Sequence, residues 1–123
     1  MTTYYTREHE WIAVNGDTGT VGITGYAQEQ LGDITFVELP AAGDTLTKGA
    51  AVSVVDSVKA ASDVFTPVSG TVVEHNSALE DTPELVNTAA ETDGWLFRIS
   101  LSQKGELDGL MDADAYRTYT DSL

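Results

Sequence analysis

The chain has 123 residues, enough for one domain with a single core and too few for two. It contains no cysteine, which excludes disulfide frameworks, thiolate metal sites and a cysteine nucleophile. Twenty Asp and Glu against six Lys and Arg give a net charge of −14, which opposes nucleic acid and anionic membrane and leaves basic or neutral partner surfaces, or a salt-rich habitat, to account for it.

The opening Met1–Arg7 has neither an apolar signal core nor an Arg-rich amphipathic presequence, and no apolar stretch reaches membrane-spanning length, so a cytoplasmic location is expected. Glu10-Trp11-Ile12-Ala13-Val14, the turn signal Asn15-Gly16 and Thr20-Val21-Gly22-Ile23 predict a hairpin. Thr24–Gly32 predicts a short helix with Thr24 as cap and Gly32 as terminator. Strand character returns at Ile34–Leu39, and Pro40 and Gly43-Asp44 break it. Two β-branched runs follow, Ala51–Val55 and Val64–Val68, the second leading into Ser69-Gly70.

Downstream, Gly70–His75 reads as a strand and Thr82–Asn87 as one helical turn with Pro83 at its first position. Asp93-Gly94 turns the chain into the strand Trp95–Ile99. In the tail, Leu107, Leu110 and Met111 fall on one side at helical spacing, and Gly109 and Asp112 divide it into two short helices. These elements predict a mainly β fold, an antiparallel sandwich or barrel with helices in the middle and at the C-terminus.

No nucleotide loop, nucleophile elbow or zincin motif is present, so nothing supports an enzyme acting alone. His9 and His75 lie in different segments and make no metal-ligand pattern. Lys59 stands out. It is one of three lysines, with Lys48 and Lys104, and lies between the two β-branched runs, at the expected tip of a hairpin. The simplest role for such a lysine is a solvated turn residue beside Asp56 and Asp63; the other is an attachment point.

The segment Asp56-Ser57-Val58-Lys59-Ala60-Ala61-Ser62-Asp63, followed by Thr66-Pro67-Val68-Ser69-Gly70, closely resembles the lipoylation site of the glycine cleavage system H protein family. The resemblance runs in order through Tyr5–Ile12, Val21–Thr24, Tyr26-Ala27-Gln28, Leu31-Gly32-Asp33, Val37–Pro40, Gly43-Asp44, Leu79–Asn87, Gly94-Trp95-Leu96 and Leu110-Met111-Asp112. It implies one lipoyl-carrier domain over residues 1–123, a flattened sandwich of two antiparallel sheets of the biotinyl/lipoyl carrier type, with lipoate in amide linkage on Lys59. It also implies Asp56, Ser57, Val58 and Ala60 as the flank read by lipoylating enzymes.

The implied cycle has a pyridoxal-phosphate glycine decarboxylase (P protein) load an aminomethyl group. A tetrahydrofolate-dependent aminomethyltransferase (T protein) unloads it, and dihydrolipoamide dehydrogenase (L protein) restores the disulfide. By position, Glu10 and Asp63, with Glu8 near the same rim, match the family's cargo-contacting carboxylates, where a negative charge would keep a labile amine protonated. The chain departs from the family at Asp56, where glutamate is usual, at Gly25-Tyr26, and at Thr88–Thr92, which lacks the usual proline and aromatic residue. Three alternatives stay open: a biotin carrier, against which Val58 and Ala60 stand in place of methionines; an H-like relay handing lipoyl groups to 2-oxo acid dehydrogenases; and an unmodified acidic interaction module.

Overall fold

A computed structural model describes residues 2–123. Strand β1 (Thr2–Tyr5) is followed by the hairpin of β2 (Glu10–Asn15) and β3 (Thr18–Ile23). Asn15 pairs with Thr18, so the loop is Gly16-Asp17, one position later than the Asn-Gly signal indicates. Gly16 takes φ 65°, the left-handed backbone that so tight a loop demands. Helix α1 (Gly25–Leu31) is capped as expected: Thr24 Oγ1 accepts the Ala27 N–H at 3.2 Å, and Gly32 at φ 82° ends the helix.

Strands β4 (Ile34–Glu38), β5 (Thr45–Leu46), β6 (Ala51–Ser57), β7 (Ala61–Phe65) and β8 (Gly70–His75) come next. The second β-branched run is therefore not the strand that the sequence predicts. Ladder pairing begins at Ala61 opposite Asp56 and runs to Phe65 opposite Ala51. Thr66 still donates its N–H to Ala50 O and accepts the Gly49 N–H; the chain then leaves the sheet at Pro67, which has no N–H to give, while Thr66 Oγ1 donates to Val68 O at 2.6 Å. Helices α2 (Ala78–Asp81), which the sequence does not announce, and α3 (Leu85–Thr88) precede β9 (Phe97–Leu101). Pro83 lies just ahead of α3, its carbonyl accepting the Val86 N–H at 3.1 Å. The tail is two helices as expected, a 3₁₀ turn over Lys104–Gly109 and α4 (Ala113–Asp121) capped by Asp112.

The strands form two antiparallel sheets, β1-β2-β3-β9-β8-β5 and β4-β6-β7, so the fold is an open sandwich and not a closed barrel. Strand alternation assigns the faces. Ile12, Val21, Val72, Phe97 and Ile99 of the larger sheet meet Val37, Val55 and Val64 of the smaller, all buried. The same alternation puts Glu10 in line with Ile12 and opposite Ile23, at a core-facing position of β2. Trp11 takes the other face, where its indole N–H reaches the carbonyls of Ile23 and Ala90, each at 3.0 Å. Gly22 opposite it has room for that ring and no more, since a Cβ there would stand 2.8 Å from the indole.

Gly70 opens β8 hard against the backbone of β9: an added Cβ would lie 2.0 Å from the Ser100 carbonyl oxygen. No flexible side chain can yield there. Gly70→Ala is expected to cost roughly 3 kcal/mol or more, read as a lowered urea midpoint with unchanged slope. A loss below 0.5 kcal/mol would contradict this close approach. Among the described residues no helix is long and apolar enough to cross a membrane.

Candidate functional site

Lys59 sits at the tip of the β6–β7 hairpin, in the turn that joins Ser57 to Ala60. Ser57 builds that turn. Its N–H donates to Ala60 O at 2.9 Å, its hydroxyl donates to the same oxygen at 3.1 Å, and the Lys59 and Ala60 N–H groups donate to its Oγ, each at 3.2 Å. Val58 fastens the tip to the body through its N–H to Asp33 O at 3.0 Å, while its side chain stays 66% exposed. Lys59 itself is exposed and makes no ion pair among the described residues. Its stem lies along Gly32: a Cβ at that glycine would meet Lys59 Cε at 3.3 Å.

Ser57→Ala removes the hydroxyl from three of these bonds and is expected to destabilise the turn by about 1 kcal/mol. Faster hydrogen exchange at the Lys59 and Ala60 amides, with the core amides unchanged, is the signature. Equal exchange in both chains would mean that the backbone holds the tip unaided.

Leu31, the residue before Gly32, lines a cleft of about 300 Å³ between α1 and the smaller sheet. Its walls include Ile23, Ala27, Leu31, Val55 and Val64, and Glu8, His9, Glu10, Tyr26 and Asp63 also border it. The structure thus brings Glu8, Glu10 and Asp63 to one cavity, in different settings. Glu10 is 2% exposed; its Oε1 accepts the Thr6 hydroxyl at 2.9 Å and its Oε2 the Phe65 N–H at 2.9 Å. Burial lifts its pKa to about 7, the Glu8 charge adds to the rise, and the two donors restrain it. Glu8 is exposed at the rim. Asp63, also exposed, pairs with Val54 and shares with it and Glu38 a shallow dent of about 120 Å³, so it belongs to the edge between the cleft and the outer sheet face.

His9 adopts φ 67°, a strained left-handed conformation for a residue with a side chain. This turn sends its ring against Tyr26, centroids 4.5 Å apart, and its Nδ1 to within 2.8 Å of the Tyr116 hydroxyl, which also meets Thr24 Oγ1 at 2.7 Å. Burial lowers the His9 pKa, with the nearby Glu8 charge opposing the shift, so the ring is predominantly neutral at pH 7. The aromatic contacts dock α4 against the cleft wall, which gives His9 a packing role. Tyr26, one of the departures from the family pattern, becomes part of this wall. Thr6 and Gly32 also belong to the site. Beyond their places in the family resemblance, Gly32 reads in sequence only as a helix terminator and nothing marks Thr6.

An exposed lysine stem beside an apolar cleft that ends at an ionisable carboxylate fits a long aliphatic arm bearing an amine. A family model described as glycine cleavage H-protein matches residues 3–122. A glycine cleavage system H protein of Bartonella tribocorum is 57% identical over 115 residues, covering 94% of each chain. That of Bradyrhizobium diazoefficiens is 56% identical over 119 residues, 97% of this chain and 98% of the relative. The crystal structure of a glycine cleavage system H protein from Mycobacterium marinum superposes with a TM-score of 0.89 at 36% identity, covering 98% of this chain and 97% of the other. With such agreement along nearly its whole length, the chain belongs to the glycine cleavage H-protein family.

Proposed function

We propose that this chain carries lipoate on Lys59 and shelters its cargo in the cleft that runs from Leu31 to Glu10. As an H protein of the glycine cleavage system it is a lipoyl carrier. Bound lipoate supplies a reducible disulfide on a swinging arm, one sulfur of which takes the aminomethyl group of glycine. The observation that carries the assignment is the contact of the Lys59 stem with Gly32, next to cleft residue Leu31, since it sets the lysine where an arm can fold back into the apolar walls.

The chain's own residues then have simple tasks. The Ser57 turn holds the attachment nitrogen outward for acylation. Ile23, Ala27, Val55 and Val64 exclude water from the arm. Glu10, as carboxylate, holds the cargo's proton in place; a protonated amine has no lone pair with which to expel the neighbouring sulfur. Glu8 and Asp63 add negative charge at the rim. No residue performs bond chemistry, so the chain acts as a carrier subunit and not as an enzyme.

Its partners are the P, T and L proteins and the lipoylating enzymes. Asp56 and the exposed Val58 offer them an acidic and an apolar contact beside Lys59, with Ser57 and Ala60 completing the flank. It works in the cytoplasm, as one domain over residues 1–123. The test is reconstitution with P, T and L proteins, glycine, tetrahydrofolate and NAD, in parallel with transfer of the lipoyl group to an apo 2-oxo acid dehydrogenase domain. Glycine-dependent NADH formation by the lipoylated chain supports the assignment. Lipoyl transfer without glycine turnover would replace it with the relay function.

A further inference from the structure

Glu10 borders two cavities. Besides the cleft, it lines a second hollow of about 290 Å³ on its other side, walled by Phe65, Pro67, Leu110 and Met111. Glu10 is almost wholly buried between the two, and the direction of its carboxylate is set by the hydrogen bonds it accepts. Phe65 contributes a backbone N–H that no substitution short of proline removes. Among the described residues, the only side chain that donates to Glu10 is Thr6.

Thr6 is held as firmly as the group it holds. Its N–H donates to Glu10 O at 2.9 Å and its carbonyl accepts the His9 N–H at 3.1 Å. Its Oγ1 accepts the N–H groups of Glu8 and Glu10, each at 3.2 Å. With both lone-pair directions turned to these donors, the hydroxyl proton is left to point at Glu10 Oε1. The turn between β1 and β2 thereby becomes an oriented donor aimed at a buried carboxylate.

We propose that Thr6 is a positioning residue of the cargo cleft, its oriented hydroxyl keeping Glu10 turned and available as a carboxylate to a cationic amine in the cleft at neutral pH. The inference rests on the carrier function proposed above and deepens it. Other ionisable groups surround Glu10. From the second hollow come Arg7, Lys48 and Tyr5, and from the cleft Glu8, His9, Tyr26 and Asp63. Among these, Glu8 acts on Glu10 by its charge and opposes ionisation. The Thr6 hydroxyl and the Phe65 N–H favour it, so removing one of them tips the balance toward the protonated, neutral form.

The test needs no lipoate at first. Glu10 is titrated by carbon NMR of its labelled carboxyl in the unlipoylated chain, in wild type, Thr6→Val, Thr6→Ala and Thr6→Ser. Loss of the hydroxyl is expected to move the midpoint up by about one pH unit, and serine to restore it. In the loaded carrier at pH 7.5 the cargo half-life then falls several-fold in Thr6→Val and Thr6→Ala, with its pH profile displaced by the same amount, and recovers in Thr6→Ser. An unchanged Glu10 midpoint in either hydroxyl-free variant, with a native amide spectrum, would overturn the proposal. A displaced midpoint with unchanged half-life would instead overturn the sheltering role of Glu10, leaving the hold of Thr6 on its ionisation established.

Discussion

Lys59→Arg will gain no lipoyl mass under conditions in which the wild-type chain gains one group, mapped to the peptide containing Lys59. Acylation needs a primary amine that can lose its proton, and a guanidinium is always charged. Arginine keeps the charge and the long stem, so the hairpin tip should be undisturbed. Lys59 is exposed and makes no ion pair among the described residues, and the variant should unfold within about 0.5 kcal/mol of wild type. Neither remaining lysine lies in the β6–β7 turn. Lys104 is engaged with Asp17 at 2.7 Å, and Lys48 lies over the end of the 3₁₀ turn, its Nζ 3.7 Å from where a Gly109 Cβ would be. The measurement is intact mass and peptide mapping after incubation with lipoate ligase, lipoate and ATP. A lipoyl group on Lys48 or Lys104 in the variant would mean that the ligase does not read the hairpin tip.

The placement of Lys59 was legible because two β-branched runs with a polar interval between them have few ways to meet. The partners in that hairpin were less so. Val64–Val68 has the composition of a strand, yet it stays bonded across the hairpin only as far as Thr66; Val68 is buried against the core as irregular chain, a distinction that composition does not carry. Helix α2 escaped notice because Leu79 is its sole buried residue, too little for a period. The cap at Thr24 and terminator at Gly32 were readable since both act through their own local chemistry.

The site divides in the same way. Lys59 and its flank form a contiguous segment, whereas Glu10 and Asp63 were connected only by resemblance, one in a strand of the larger sheet and the other in the smaller. One local signal for Glu10 does exist: in β2 it shares the alternation of Ile12, a core-facing carboxylate among twenty that are mostly solvated. Thr6 gives no such sign. Its role arises from a turn closed by the left-handed His9, which nothing in Thr-Arg-Glu-His specifies in isolation.

Glu10→Gln is the second large effect, and its sign can be worked out. The carboxyl titrates near 4.5 in the unfolded chain and at about 7 in the fold, so between those values the native state holds a proton that the unfolded state has lost. Unfolding then releases a proton, and the stability of the wild type falls as pH rises from about 4.5 to 7. The size is on the order of 3 kcal/mol across that interval, set by burial and limited by the Thr6 and Phe65 bonds. Glutamine has the same shape, accepts the Phe65 N–H and cannot ionise. The other carboxylates act on both chains alike, so the difference between the two isolates Glu10. Urea unfolding from pH 4.5 to 8 should show Glu10→Gln gaining steadily on wild type and levelling off above pH 7. A pH-independent difference would mean that Glu10 is not displaced from its ordinary range.

The same variant loses the charge that holds the cargo's proton, and its loaded form should discharge roughly tenfold faster at pH 7.5, if a single charge-assisted contact of about 1.4 kcal/mol is removed. A substitution that removes the loss of stability with rising pH and shortens the life of the cargo would explain why a carboxylate occupies a position that alternation reserves for an apolar side chain. Equal half-lives in wild type and Glu10→Gln would leave the buried charge without that purpose and move the sheltering role to the rim, to Glu8 and Asp63.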